Sequence, residues 1–245
     1  MRKAIGWLLT PLHLVLFMVV LLVFHVAQVL ALPFGYAAHK RVVDYLNLSV
    51  LASLKIIGAR IELSREHVLP ADIPLIVVAN HQSMYDIPML GWVFRNHHPK
   101  FVAKIELARG LPSISYNLRH GGSVLINRSD ARGAMRAIQT FGKVVEEHRY
   151  AACIFPEGTR ARDGVMKEFN LAGLLTLIRA TPSATIIPVA IDGSWELMRY
   201  RMLPIPFGVR VKCTVLAPIS QQEQSAKVVA SMVEEKIRAV LDDGR

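Results

Sequence analysis

The stretch Leu75-Ile-Val-Val-Ala-Asn-His-Gln-Ser-Met-Tyr-Asp-Ile-Pro88 constrains the fold more than any other part of the chain. Leu75 to Ala79 is a short, continuous apolar run, the pattern of a strand buried on both faces. The residues then turn polar up to Asp86, and Pro88 suits the first turn of a helix. A buried strand feeding a polar loop sets side chains on a rigid rim. In that loop His81 can take a proton near neutral pH, and Asp86 can orient its imidazole and stabilise the charged form. A continuous helix of about 3.6 residues per turn would put the two about 140° apart. A turn after the strand, with a helix starting near Asp86, brings them together. Two plainer readings stand beside this one. Ser83-x-x-Asp86 is also a capping box, so Asp86 can serve only a helix end. His81 can be a satisfied loop histidine.

The strand-then-polar-turn pattern recurs. Tyr150 to Phe155 is apolar and meets Pro156-Glu-Gly-Thr-Arg160. Gly158 permits a tight backbone path there, and Glu157, Thr159 and Arg160 bring an acceptor, a hydroxyl and a cation into one small region. Glu157 alternatively clamps the fold or pairs with Arg160. Phe101 to Ala103 reads as a strand ending at Lys104, whose ammonium can hold a phosphate as a point charge or pair with Glu106. Gly121 to Arg128 is strand-like, and Arg128 at its end can grip phosphate in a bidentate manner or simply be solvated. Helices are expected after each motif: from Asp86 to about Phe94, over Ala131 to Arg149, and over Asn170 to Ala180. The second has an inner stripe of Ala134, Ile138, Phe141, Val145 and His148.

The start of the chain is of a different kind. Trp7 to Pro33 contains no charged residue and is long enough to cross a bilayer. Pro11, His13, His25 and Gln28 weaken a pure spanning reading, and a hairpin or a tilted helix lying in one leaflet is the alternative. Lys3 precedes the segment and Lys40 and Arg41 follow it, so positive charge does not orient it. Val43, Leu46, Val50, Leu54 and Ile57 recur at helical spacing, and Gly58 marks the end of a helix expected over Val42 to Ile57. The chain is 52% hydrophobic and carries a formal net charge of +10. That balance favours anionic partners such as membrane lipid, phosphorylated substrate or an acidic protein. Nucleic acid is disfavoured, because no basic run is interleaved with stacking aromatics. Cys153 and Cys213 lie in separate apolar strands without metal or redox spacing and read as core thiols of a reducing compartment.

Elsewhere the signals are structural. Ala59 to Leu63 is a short first strand. Pro188 interrupts the strand Thr185 to Ile191 and suggests an edge or a bulge. Val209, Val211, Cys213 and Val215 alternate with Arg210, Lys212 and Thr214 as in a half-buried strand. Ser220 with Glu223 three residues on caps a last helix.

Taken together the motifs resemble those of the glycerolipid acyltransferases. Asn80 to Asp86 looks like the first motif of that family, Gly122 to Arg128 like the second, Phe155 to Arg160 like the third, and Ile187 to Ile191 like the fourth. The likeness is greatest to bacterial 1-acylglycerol-3-phosphate acyltransferases and covers roughly Ile56 to Pro218. It implies a mixed α/β domain, residues 58–245, with a central sheet flanked by helices, behind a membrane-associated helical segment, residues 1–57. It implies His81 as general base with Asp86 as its partner. Lys104, Arg128 and Arg160 resemble the cationic site for the acceptor phosphate, and Glu157, Gly158 and Thr159 match its turn. It also implies an acyl donor that is a thioester of coenzyme A or acyl carrier protein, no cofactor or metal, and lysophosphatidic acid in a bacterial inner membrane as the acceptor, met from the cytoplasmic side. The chain departs from the pattern at Ser113-Ile-Ser115, where many members have glycine, and at Phe169-Asn-Leu-Ala-Gly173, where many have Phe-Lys-x-Gly. Those departures leave another lysophospholipid or an acylated amino-acid lipid open as acceptor. A non-catalytic lipid-binding protein is the alternative of a different class.

Overall fold

A computed structural model describes residues 1–65, 67–221 and 224–243. Its centre is one sheet built from β1 (Arg60–Arg65), β2 (Leu75–Ala79), β3 (Pro99–Lys104), β4 (Val124–Ile126), β5 (Ala151–Ile154), β6 (Thr185–Asp192), β7 (Arg210–Val215) and β8 (Ile219–Ser220). The order is β1-β7-β6-β2-β5-β3-β4, with β8 also on β6. The strands β6, β2, β5, β3 and β4 run parallel, so their C-terminal ends lie along one rim. This is the mixed α/β architecture, a central sheet flanked by helices, that the resemblance implied. The expected strand Leu75 to Ala79 is β2, and all five of its residues are buried, as a strand paired on both sides and covered on both faces must be.

Helices cover both faces. One face carries α1 (Arg2–Ala31), α2 (Tyr36–Ser53), α3 (Asp86–Val93) and α4 (Ile114–His120). Here the expected stripe residues Leu46, Val50, Leu54 and Ile57 join Leu75, Val77 and Val189 in one core cluster. The other face carries α5 (Ala131–His148), α6 (Leu171–Ala180) and α7 (Ala226–Asp243). Ile138, Phe141 and Val145 pack there against Ile76, Val78 and Leu174. Each such side chain contributes about 1.5–3 kcal/mol by leaving water. Asp130 caps α5 by accepting from Gly133 N–H at 2.9 Å, and Asn170 caps α6 by accepting from Ala172 N–H at 3.3 Å.

Three local expectations change and one narrows. Helix α2 begins at Tyr36 rather than Val42, because Gly35 at φ 92° ends the preceding turn and lets the chain restart. His148 is exposed rather than on the inner stripe of α5. Pro188 lies in an interior strand, so of the expected edge or bulge it is the bulge: residues 187–188 of β6 face three residues, 216–218, between β7 and β8. It faces the gap where β6 leaves its β8 partner at Ile186 and meets its β7 partner at Val189, so its missing N–H costs no ladder bond. Ser220 lies in β8 opposite Thr185 instead of capping α7, which starts at Ala226 with Ser225 Oγ accepting from Val228 N–H at 3.3 Å. Its expected partner Glu223 is outside the described residues.

The first helix is long and apolar enough to cross a membrane by length and composition. It is also docked along its length. Gly6 lets the backbone approach Ile205, since a Cβ there would sit 2.3 Å from Ile205 O. Thr10 Oγ1 accepts from Ile205 N–H at 2.9 Å. His13 Nδ1 donates to Ser53 O at 3.1 Å, which leaves Nε2 to accept from Tyr85 O–H at 2.9 Å. Gln28 Nε2 donates to Ser113 Oγ at 2.5 Å. Gly6, Thr10, His13, Phe17, Leu21 and Gln28 follow helical spacing and form one face. The opposite face exposes Leu8, Leu12, Val15, Val19, Leu22, Val26 and Leu30. The residues that weakened the spanning reading are thus the ones that hold the helix on the domain. Ser113 takes φ 64°, a left-handed value that glycine adopts freely, and the contacts from α1 hold it there.

Candidate active site

The loop between β2 and α3 turns sharply, and α3 starts at Asp86. His81 and Asp86 therefore meet, with Nδ1 of the imidazole 2.9 Å from Asp86 Oδ2. The carboxylate only accepts, so Nδ1 carries the proton, and in the neutral imidazole Nε2 presents a lone pair. His81 lines a cavity of about 1330 Å3, and its ring stacks on Phe155 with centroids 4.2 Å apart.

Asp86 is fully buried, and donors surround it. Oδ2 also accepts from Gln82 N–H at 2.7 Å and Ser83 N–H at 2.8 Å. Oδ1 accepts from Ser83 Oγ at 3.1 Å and Ser194 Oγ at 2.6 Å. Those bonds offset the cost of burying a charge. Helix α3 starts at Asp86 behind Tyr85 with no side-chain cap, so this carboxylate closes the turn ahead of the helix and holds the imidazole. Ser83 Oγ is occupied, donating to Asp86 and accepting from Tyr85 N–H at 3.1 Å. Ser194, on the turn after β6, has no sequence signal of its own.

The two strand-end turns are tied through backbone. Glu157 Oε1 accepts from His81 N–H at 2.6 Å, and Oε2 accepts from Lys167 N–H at 2.9 Å. His81 O accepts from Ala161 N–H at 2.7 Å. Glu157 thus clamps the fold and makes no ion pair with Arg160. Burial pushes its carboxyl above the ordinary range, while the two N–H groups pull the other way. Gly158 has φ 69°, the tight path expected of it. Asn80 extends β2 by one rung with its side chain, exchanging two bonds of 2.7 Å with the backbone of Ile191.

The expected cations converge. Lys104, Arg128, Arg160 and Thr159 line the same cavity as His81. Arg128 donates to Gly158 O, Arg160 Nη1 lies 3.1 Å from Met198 Sδ, and Lys104 is exposed without an ion pair to Glu106. Lys167 and Arg162, which the sequence did not single out, join them. Lys167 Nζ donates to Thr159 Oγ1 at 2.9 Å and to Arg160 O at 3.1 Å. Asn170, where lysine was the family pattern, caps α6, and Lys167 is the cation that reaches the cavity from this segment. Cys153 and Cys213 are free and buried, and burial pushes the Cys213 thiol up to about 12. A base with an open lone pair beside a group of cations can deprotonate a hydroxyl on an anionic molecule.

The stretch that carries this site resembles known proteins. A 1-acyl-sn-glycerol-3-phosphate acyltransferase of Chlamydomonas reinhardtii is 32% identical over 137 residues, 56% of this chain and 39% of that protein. One from Helicobacter pylori is 34% identical over 92 residues, 36% of each chain. The chain therefore spans well under half the length of these curated relatives. The crystal structure of the 1-acyl-sn-glycerophosphate acyltransferase from Thermotoga maritima shares the fold, with a TM-score of 0.77 over 99% of this chain and 97% of that one, at 22% identity. The family model described as Acyltransferase matches residues 60–192, more than half of the 245 residues and the whole span from β1 to the end of β6. The chain belongs to the Acyltransferase family.

Proposed function

We propose that the protein transfers a fatty acyl group from a thioester of coenzyme A or acyl carrier protein to the sn-2 hydroxyl of 1-acylglycerol 3-phosphate, giving phosphatidic acid. The observation that carries this reading is the His81–Asp86 pair, with Nε2 unprotonated on a cavity that also holds Lys104, Arg128, Arg160 and Lys167. His81 Nε2 takes the hydroxyl proton as the oxygen bonds to the thioester carbon. The C–S bond then breaks, and the thiolate recovers the proton from the imidazolium. Asp86 holds the tautomer and stabilises that charge. Transfer is direct, since Ser83 Oγ is engaged and both cysteines are buried. Arg128, Arg160, Lys104 and Lys167 bind the acceptor phosphate. Thr159 and Gly158 shape that site, and Glu157 positions it through the His81 and Lys167 backbone.

Two apolar paths for the donor chain suggest themselves, one beside the first helix and one along Trp195 to Phe207. The first has the support: Phe17, Met18 and Leu21 of α1 line the cavity, and no residue of 195–207 does. Residues 1–57 form the membrane-associated segment and residues 58–245 the acyltransferase domain. The exposed apolar face of α1, which spans the length of that helix, supports attachment to a membrane, and the family resemblance supplies the cytoplasmic side of a bacterial inner membrane. A panel of acceptors with one acyl donor tests the reading. Turnover of another lysophospholipid or an acylated amino-acid lipid, with none of 1-acylglycerol 3-phosphate, refutes the acceptor assignment. Complete release of the protein from membranes by salt alone refutes embedding.

A further inference from the structure

The cavity lined by His81 is also lined, away from it, by polar groups that the proposed acyl transfer does not use. It follows β3 from Lys104 at the C-terminal end to Lys100 near the start, about 13 Å at about 3.3 Å per residue. Between those ends its walls include Leu21, Leu46, Phe101 and Leu118. Its floor is Tyr36, His39 and Lys100.

His39 and Lys100 are buried, 1% and 4% exposed, whereas Tyr36 is 38% exposed. Lys100 Nζ donates to Gly121 O at 2.7 Å and to Tyr36 Oη at 2.9 Å, over the Tyr36 and Tyr150 rings. Tyr36 O–H passes its own proton towards His98 Nδ1 at 2.8 Å. An ammonium has three N–H donors, so one remains without an oxygen. Among the described residues no carboxylate makes an ion pair with it, and Asp44, on the same cavity, is held by Lys40 at 2.5 Å. His39 Nε2 is buried without a hydrogen-bond partner. An unpaired buried polar atom is rare in a folded protein, and here one stands near a buried lysine that makes no direct ion pair, deep in a largely apolar cavity. Burial, with Lys40 nearby, pushes the Lys100 amine down to about 8.

We propose that this floor recognises a hydroxyl carried on the distal part of the donor's fatty chain, so that the protein prefers acyl chains oxygenated far from the thioester. A hydroxyl both accepts from Lys100 and exchanges a hydrogen bond with His39 Nε2. It also passes the apolar walls at far lower cost than an ionised carboxylate would. The inference rests on the acyl-transfer reading for the identity of the chain, but its test does not need turnover.

Non-reactive thioether analogues of a long-chain acyl coenzyme A are made with the hydroxyl stepped along the distal half of the chain, together with the unsubstituted chain. Binding to the full-length protein in detergent is measured by calorimetry. One hydroxyl position is expected to bind about tenfold tighter than the unsubstituted chain. Lys100→Met and His39→Phe should each reduce that preference to less than about twofold while the unsubstituted chain binds as well or better. Each variant is checked by thermal unfolding, and either one that folds carries the comparison. No preference at any position in the wild-type protein overturns the proposal, as does a preference that survives in the folded variants. Loss of transfer from every thioester would instead refute the proposed reaction and leave the binding comparison readable.

Discussion

Replacing Asp86 with asparagine separates chemistry from folding. The asparagine oxygen can take the place of Oδ2 and keep the bonds from Gln82 N–H, Ser83 N–H and His81 Nδ1. Its NH2 then faces Ser83 Oγ and Ser194 Oγ, hydroxyls that can turn to accept. Exchanging five charge-assisted bonds for neutral ones costs up to about 1 kcal/mol each, so about 5 kcal/mol before the part returned because no charge is then buried. That is a large part of a typical stability of about 5–15 kcal/mol but, net of that return, does not exceed it. The reaction is weakened separately. With the imidazolium about 4 Å from a lost negative charge and an effective dielectric constant of about 20, the forfeited attraction is about 4 kcal/mol. This corresponds to about a thousandfold in kcat. Asp86→Ala, by contrast, strands two buried backbone N–H groups at about 1–3 kcal/mol each and opens a cavity, so it should unfold the turn. Steady-state kinetics alongside thermal unfolding decides. A folded Asp86→Asn protein with kcat within tenfold of wild type would refute the electrostatic role, and its failure to fold would refute the hydroxyl-reversal argument.

Glu157→Gln should be less forgiving, because both oxygens already face backbone N–H groups. The amide must aim NH2 at one of them, costing about 2–3 kcal/mol and displacing His81, read as a lower unfolding midpoint and a lower kcat. The native Glu157 carboxyl titrates above its unfolded value, so its stabilisation is full in acid and is lost as pH rises through the native value. The wild-type minus variant stability should fall over that window in a calorimetric pH series. Arg128→Ala and Arg160→Ala should each raise KM for the acceptor about 10- to 100-fold and leave KM for the thioester within about twofold. Gly6→Ala puts a methyl 2.3 Å from Ile205 O, so α1 must shift, and the unfolding midpoint in detergent should fall by the equivalent of about 1–3 kcal/mol.

Where the determinants were local, the amino-acid order was enough. An apolar run buried on both faces could only be the central strand, and the polar residues after it had to form its rim. The stripe Ala134, Ile138, Phe141 and Val145 could only be one side of a helix. Contacts between distant segments were not legible. Thr10, His13 and Gln28 look like flaws in a membrane segment until Ile205, Tyr85 and Ser113 are placed beside them. Ser194 completes the shell of Asp86 from 108 positions away. Pro188 marks a break in a ladder, but whether that break is an edge or an interior gap depends on where β7 and β8 arrive. Lys167 reaches the cavity only because the Glu157 clamp folds its backbone back.

The central claim is proton abstraction by His81 from an acceptor held by its phosphate. Its most direct measurement uses purified protein with a long-chain acyl thioester, on both coenzyme A and acyl carrier protein. The acceptors are 1-acylglycerol 3-phosphate and the phosphate-free monoacylglycerol, and the diacyl product is detected by mass. The account predicts diacyl product from the phosphorylated acceptor, much poorer turnover of the phosphate-free one, and near-complete loss of both in a folded His81→Ala protein. Full activity in His81→Ala, or equal turnover of the two acceptors, would contradict it.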